Sequence, residues 1–249
     1  MEIVILGSGT AIPTKAHSPA GILVIQEGHP FLLDIGPGTL SRLAQAGIAF
    51  DKLDFLLISH FHPDHTLDLA TLLQIFDSSP DSRRTRPFSI IGGHGIEDFI
   101  DRLLSLYPEI TPQTYQINKQ EVFRDEFTIH GLKVRSAPTR HTLHSVAYCI
   151  QNSDKKLVYS GDAAPQGELV DLAKYADILI CECSFPSGWV SSDHLNADSV
   201  GIIANQAAVK ILVITHCYPP ALIVDLEKQI RQHYKGKIIL ASDGYHMNL

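Results

Sequence analysis

The sequence predicts an α/β protein whose two halves pack their sheets together, with helices on the outside. Three observations carry this. Apolar segments of strand length alternate with segments of helical period along the whole chain, without repeats or low-complexity tracts. The composition suits a sizeable core, with 45% hydrophobic and 19% charged residues among 249. His and Asp side chains also sit just past the C-terminal ends of several apolar segments, and segments that leave one edge of a sheet share a cleft. Residues 1–249 read as one domain.

Taken in order, residues 2–7 form a strand and Gly7-Ser8-Gly9-Thr10 a tight loop that allows close backbone approach. Residues 21–26 and 30–34 read as strands about the turn Glu27-Gly28-His29. A second loop, Asp34-Ile35-Gly36-Pro37-Gly38, precedes a helical pattern over residues 39–46. Residues 53–59 are a strand, and residues 66–76 a helix. Residues 88–91 form a strand that passes through Gly92-Gly93-His94-Gly95 into a helix ending near residue 107. In the second half, strands are expected at 126–129, 132–136, 145–151 and 156–160. A helix at 168–175 precedes a strand at 177–183, and Asn196 can cap a helix running to about residue 208. A strand at 210–215, a helix at 223–234 and a last strand at 237–241 complete the chain.

The formal charge of −7 argues against non-specific attachment to a nucleic-acid backbone, which wants a basic surface. Arg83, Arg84 and Arg86 form one dense cationic cluster, expected on a solvated loop because residues 78–87 are polar and turn-rich. Four cysteines are too few and too scattered for a disulfide scaffold, and Cys181 and Cys183 lack the spacing of a cysteine zinc site. No apolar run is long enough to span a bilayer, and the start reads as a strand. The expectation is a cytoplasmic protein with no membrane partner.

The densest chemistry is His60-Phe61-His62-Pro63-Asp64-His65, directly after the strand at 53–59. Nitrogen and oxygen donors of this kind suit zinc and related divalent metals. His60 and His62, two apart in extended backbone, point the same way, whereas Pro63 breaks the strand and turns Asp64 and His65 elsewhere. One short segment can therefore serve two metals. A histidine cluster can also be a solvated patch, but a strand ending this way leaves four donors with no apolar work to do. Three further donors end apolar strands: His141, Asp162 after Ser160-Gly161, and His216 after Thr215. A single histidine after a strand is weak evidence; their shared placement is what counts.

This order of motifs resembles the metallo-β-lactamase fold superfamily across nearly the whole chain. The resemblance implies a four-layer αβ/βα sandwich of two packed mixed β-sheets with outer helices. It also implies two divalent metal ions, with zinc the default and manganese or iron able to use the same donors. His60, His62 and His141 would hold one ion, Asp64, His65 and His216 the other, and Asp162 would bridge them. The segments Leu6 through Pro13 and Leu33 through Thr39, together with His141 and Tyr148, resemble the ribonuclease Z and phosphodiesterase branch. Glu182 and His194 are similar to the Glu/His pair that ribonuclease Z sets beside its metals. One departure is large. Only 21 residues separate His141 from Asp162, which leaves no space for the long tRNA-gripping arm usual in ribonuclease Z. The 54 residues from Asp162 to His216 likewise leave no space for the extra domain of the β-CASP nucleases.

The chemistry expected is hydrolysis of a small or cyclic phosphodiester by a metal-bridging hydroxide, with Asp64, His194 and Glu182 as catalytic residues. His194 would protonate the leaving alkoxide, and Glu182 would orient its imidazole. The alternatives are a tRNA 3′-end endoribonuclease of ribonuclease Z type and a lactone or thioester hydrolase, with a non-catalytic metal-binding protein as the third. A small-molecule partner is favoured over RNA, and a homodimer is suggested by the family likeness alone. His94 could bind phosphate at a helix start or simply end a strand, His144 could face cleft or solvent, and His246 could line the same edge. Trp189 is read as a pocket wall or an oligomer contact.

Overall fold

The computed structural model describes residues 1–80 and 83–249. Among these residues, fourteen strands form two seven-stranded sheets. The first half contributes β1 Glu2–Gly7, β2 Gly21–Gln26, β3 His29–Ile35, β4 Phe55–Ile58, β5 Phe88–Gly92 and β6 Ile117–Glu121. The second contributes β7 Glu126–Ile129, β8 Leu132–Pro138, β9 Val146–Gln151, β10 Lys156–Tyr159, β11 Ile178–Glu182, β12 Ile211–Thr215, β13 Lys237–Leu240 and β14 Tyr245–Asn248. Helices are α1 Thr39–Gln45, α2 Pro63–Thr66, α3 Asp68–Ser78, α4 Ile96–Leu106, α5 Leu169–Ala173, α6 Ala197–Gln206, α7 Pro219–Leu222 and α8 Leu226–Ile230.

Sheet order is β14-β1-β2-β3-β4-β5-β6 in one layer and β13-β12-β11-β10-β9-β8-β7 in the other. Each sheet is mixed. β14 through β3 pair antiparallel and β3 through β6 parallel. In the second sheet β13 through β10 pair parallel and β10 through β7 antiparallel. Strand alternation sorts the core into three layers. Phe31, Leu33, Phe55 and Leu57 meet Tyr148, Ile180 and Val213 between the sheets. Leu32, Leu56 and Ile58 face α3 and α4 through Leu72, Phe76 and Ile100. Leu179 and Leu212 face α6 and α8 through Val200, Ala204 and Ile230. Burial on both faces is why β4 reads as an unbroken apolar run. The result is the expected αβ/βα sandwich.

Several elements depart from the sequence reading. β6 and β14 were not expected. Both are edge strands, and half-exposed residues such as Asn118, Lys119 and Asn248 give them little apolar signal. The helix expected at 66–76 is two pieces. Pro63 starts α2 at a position that tolerates a missing N–H, and α3 follows. The helix expected at 223–234 shrinks to α8, because the Asp225 side chain accepts from Lys228 N and starts the helix there. Asn196 caps α6 as expected, accepting from Ser199 N in a capping box. Among the described residues, no helix is long and apolar enough to cross a membrane.

The arginine cluster is not a solvated loop throughout. Asp81 and Ser82 of that segment lie outside the described residues, and Arg83 is exposed. Arg84, however, is buried and donates to the carbonyls of Asp51, Leu53, Arg86 and Pro87. Its guanidinium lies between Phe76 and Phe88, 4.8 and 4.9 Å from the ring centres. Burial lowers its pKa to about 10, which leaves it charged at neutral pH. Arg84 therefore staples the start of β4 to that of β5. Arg84→Ala is expected to destabilise the fold by roughly 3 kcal/mol, because four carbonyls lose their donor. Chemical denaturation would measure it, and a change below about 0.5 kcal/mol would contradict the staple.

Candidate metal centre

The C-terminal ends of β4, β8, β10 and β12 meet at one edge of the sandwich, and the chemistry-bearing residues follow them. His60 comes just after β4, His141 after β8, Asp162 after β10, and His216 directly after β12. Glycine is required where the sheets touch. Gly161 has φ 54°, and a Cβ there would collide with the Ser59 side chain. Asp34 and His216 take left-handed backbone, φ 58° and 53°, which is uncommon for residues with a Cβ and frequent at functional sites.

The expected donors come together. His60, His62, His141 and Asp162 bring one ligand atom each within 4.8 Å of one another, and so do Asp64, His65 and His216. Asp162 faces both groups. Its Oδ2 lies 3.7 Å from His60 Nε2 and 3.7 Å from His141 Nε2, and its Oδ1 lies 3.5 Å from His65 Nε2 and 3.4 Å from His216 Nδ1. Asp64 Oδ2 lies 3.4 Å from His216 Nε2. Most of these groups are buried.

Hydrogen bonds away from the centre settle which ring nitrogens point inward. His141 Nδ1 donates to the carbonyl of Asp193 at 2.8 Å, so its Nε2 keeps the lone pair. His65 Nδ1 donates to Asp34 Oδ2 at 2.7 Å. The Ser59 hydroxyl donates to Asp34 Oδ2 at 2.7 Å and so accepts from His60 Nδ1 at 3.0 Å. These tautomers are assigned from the network. His60, His65 and His141 thus all use Nδ1 away from the centre and aim Nε2 at Asp162.

Such a cluster suits a cation. His60 Nε2 and Asp162 Oδ1 are buried and have no hydrogen-bond partner among the described residues. Buried polar atoms are rarely left this way unless something else binds them. Burial, with the neighbouring charge of His65, holds the His60 pKa well below the usual histidine range. Burial would raise the Asp162 carboxyl, but the His216 and His65 imidazoles outweigh it and hold the pKa well below normal. Burial would lower the His65 pKa, but Asp162 and Asp34 outweigh it and raise the pKa well above the usual histidine range, so without a metal a proton holds the place that a cation would take beside the ionised Asp162 carboxylate.

Glu182 and His194 stand beside this cluster. Glu182, buried at the end of β11, accepts from Ala163 N at 2.7 Å and from the Ser184 hydroxyl. His194 Nδ1 donates to Glu182 Oε1 at 3.0 Å. Burial works against the charged imidazole, yet the Glu182 bond and charge prevail and raise the His194 pKa to about 9. The His194 ring centre is 4.5 Å from that of His141. Trp189 stacks on Phe185 and Phe185 on Tyr218, at 4.9 and 5.5 Å, so the loop carrying His194 is backed by aromatic rings.

Other histidines lie elsewhere. His94 pairs with Glu121, and the same carboxylate accepts from Gly95 N at 2.7 Å, so this helix start already has its anion. His144 Nδ1 donates to the His94 carbonyl and its ring stacks on Phe61. His246 pairs with Glu2 on the outer edge of the first sheet, 3.0 Å away, and lines no cleft. Sequence reasoning missed Asp34. It accepts from Ser59 N, Ser59 Oγ, His65 Nδ1 and the Tyr159 hydroxyl, all within 2.7 Å. A carboxylate ending an apolar strand was the available signal. Tyr148, buried, donates to the Ile58 carbonyl at 2.8 Å and ties the sheets together just before the first histidine.

Residues 29–217 match the family model described as a beta-lactamase superfamily domain. Ribonuclease Z of Mycobacterium sp. (strain KMS) is 29% identical over 245 residues, covering 88% of this chain and 85% of that one. The probable metallo-hydrolase YhfI of Bacillus subtilis (strain 168) is 28% identical over 252 residues and 98% of each chain. The crystal structure of YhfI superposes with a TM-score of 0.86 at 23% identity, covering 99% of this chain and 98% of the other. Human tRNase Z, short form, superposes with a TM-score of 0.81 at 22% identity over 100% and 99% of the two chains. The match over most of its length, with the shared architecture, means that the chain belongs to the beta-lactamase superfamily, in the ribonuclease Z-like branch of the metallo-β-lactamase fold.

Proposed function

We propose that this protein is a binuclear metal-dependent phosphodiesterase acting on a small or cyclic phosphodiester. His60, His62 and His141 would hold one divalent ion and Asp64, His65 and His216 the other, with Asp162 facing both groups. Zinc suits these donors best, and manganese or iron can use them too. Such a pair supplies Lewis-acid polarisation of the phosphoryl group and an acidified water. Asp64, its pKa held below the usual carboxylate value because its bond to His216 and the His65 charge outweigh burial, would orient a water brought to the ions.

The observation that carries the reading is the Glu182–His194 pair at the rim of the donor cluster. Hydrolysis forms one P–O bond to water and breaks another to an alkoxide, which needs a proton. His194 donates it from Nε2, while Glu182 holds Nδ1 and stabilises the charged ring. Solvent then restores the proton.

The small substrate is favoured by the loop that joins β9 to β10. Its four residues close with Asn152 N donating to the Lys155 carbonyl at 3.1 Å, where a tRNA-gripping arm would need a long insertion. The net charge of −7 agrees. A second reading, a tRNA endoribonuclease, is favoured by the names of the Mycobacterium ribonuclease Z and the human tRNase Z. A panel of a chromogenic phosphodiester, cyclic nucleotides, a lactone and precursor tRNA separates these. Turnover of the small diesters without tRNA cleavage is expected, and tRNA cleavage at equal or higher kcat/KM would replace the proposal with the second reading.

Four substitutions test the assigned roles. Asp162→Ala is expected to lose the metal of this centre and activity together, read as a fall in metal content by elemental analysis beside the diesterase assay. His194→Ala should keep its metals and lose roughly 10²–10⁴ in kcat, and full activity would remove the acid role. Glu182→Gln should move the alkaline limb of the kcat/KM profile to lower pH, because the carboxylate is what holds the His194 proton. Asp34→Asn should weaken metal retention by about 10- to 100-fold, since ligand orientation is lost while every donor remains. Dialysis against graded chelator would measure that loss, and unchanged retention would make Asp34 a packing residue only.

A further inference from the structure

The strands that carry the donor cluster at their C-terminal ends carry a second group at their opposite ends. His29 opens β3, Asp54 directly precedes β4, and His130 lies in the turn between β7 and β8. Each offers one ligand atom within 4.8 Å of the others. Six residues separate Asp54 from His60, about 20 Å of extended chain, so this is not part of the centre described above. We propose that His29, Asp54 and His130 form a further divalent-metal site, suited to zinc, that clips the two sheets together at the edge remote from the cleft.

The donor chemistry fits. Two imidazoles and one carboxylate are ordinary zinc ligands, and a water can complete four-coordination. Asp54 is buried and its Oδ2 lies 2.8 Å from His29 Nδ1. Tetrahedral ligation brings donors to about 3.3 Å of one another. His29 and His130 are exposed, so rotation of their side chains can close the remaining gap. Arg86 binds the other Asp54 oxygen, which orients the carboxylate and leaves Oδ2 to the imidazoles. That cation also weakens the site, so it fills at higher free zinc than the cluster around Asp162.

Two further observations point to His130. It stands at φ 47° ahead of Gly131 at φ 74°, in a two-residue hairpin turn where asparagine is the preferred residue. Histidine, with asparagine and aspartate, enters this backbone region more readily than most residues, so the turn can carry an imidazole here. Its ring centre is 5.2 Å from that of His29 across the sheets and 5.8 Å from Phe55, on which it stacks. Beside the group opens a cleft of about 610 Å³ lined by Gly28, His29, Lys52, Asp54 and Arg86, which gives an ion a path from solvent.

The test needs no knowledge of the substrate. Protein stripped by chelator is dialysed against buffered zinc, then bound metal and Tm are measured for the wild type, His130→Asn, Asp162→Ala and the double variant. Asparagine suits the turn, so His130→Asn should fold and keep diesterase activity while it binds one zinc fewer than the wild type. Asp162→Ala should still bind one zinc with a rise in Tm, and the double variant should bind none with no rise. Should Asp162→Ala fail to fold, the wild type against His130→Asn decides alone. Equal zinc content and equal Tm response in those two would overturn the proposal.

Discussion

One buried carboxylate organises the cleft. Asp34, at the end of β3, accepts from the Ser59 backbone and hydroxyl, from His65 Nδ1 and from the Tyr159 hydroxyl. Those partners belong to two distant stretches of the chain. Ser59 leads into His60, His65 closes the same run, and Tyr159 ends the strand that leads to Asp162. The carboxylate therefore joins both sheets at the point where every donor emerges. It also passes its effect along a chain: because Ser59 donates to Asp34, it can only accept from His60, and the His60 proton is fixed on Nδ1. Two of the inward-facing nitrogens are settled by a residue that does not touch the centre.

The same arrangement is unfavourable by itself. Four imidazoles crowd one carboxylate in a buried space, and two of the polar atoms have no partner. Buried polar groups without bonds are costly to a fold of ordinary stability. The fold tolerates the cluster because the walls are stiff. β3 and β4 are apolar on both faces and packed between two layers, Tyr148 bonds across the sheets, and Gly161 lets the loops approach without a clash. Polar chemistry at the strand ends is thus supported by apolar packing in their middles.

That division explains what could be read from the sequence. The strands of the buried middles have unmistakable apolar runs, and the donors stand at their ends, so the architecture and the seven donors were both legible. The two edge strands of the first sheet were not. Ile117–Glu121 and Tyr245–Asn248 share a face with water and look like loops until a neighbour pairs with them. Arg84 misled for a related reason, since its charge suggests solvent while its partners are carbonyls scattered over residues 51 to 87. Asp34 was visible as a strand end but not as the hub, because the partners that make it one are 25 to 125 residues away. The pattern of a sequence reports local burial well, and long-range satisfaction of polar groups poorly.

The split between backed and unbacked residues also separates chemistry from substrate choice. His60 and His65 are oriented by the buried Ser59 and Asp34, and a change there disturbs several others. The rim is different. Leu67, Leu143 and Val190 follow His65, precede His144 and precede His194, and each projects into solvent with more than half its surface exposed. Substitutions at exposed positions usually leave stability within about 0.5 kcal/mol. The rim can therefore vary while the cluster stays intact, so one donor set can serve different leaving groups.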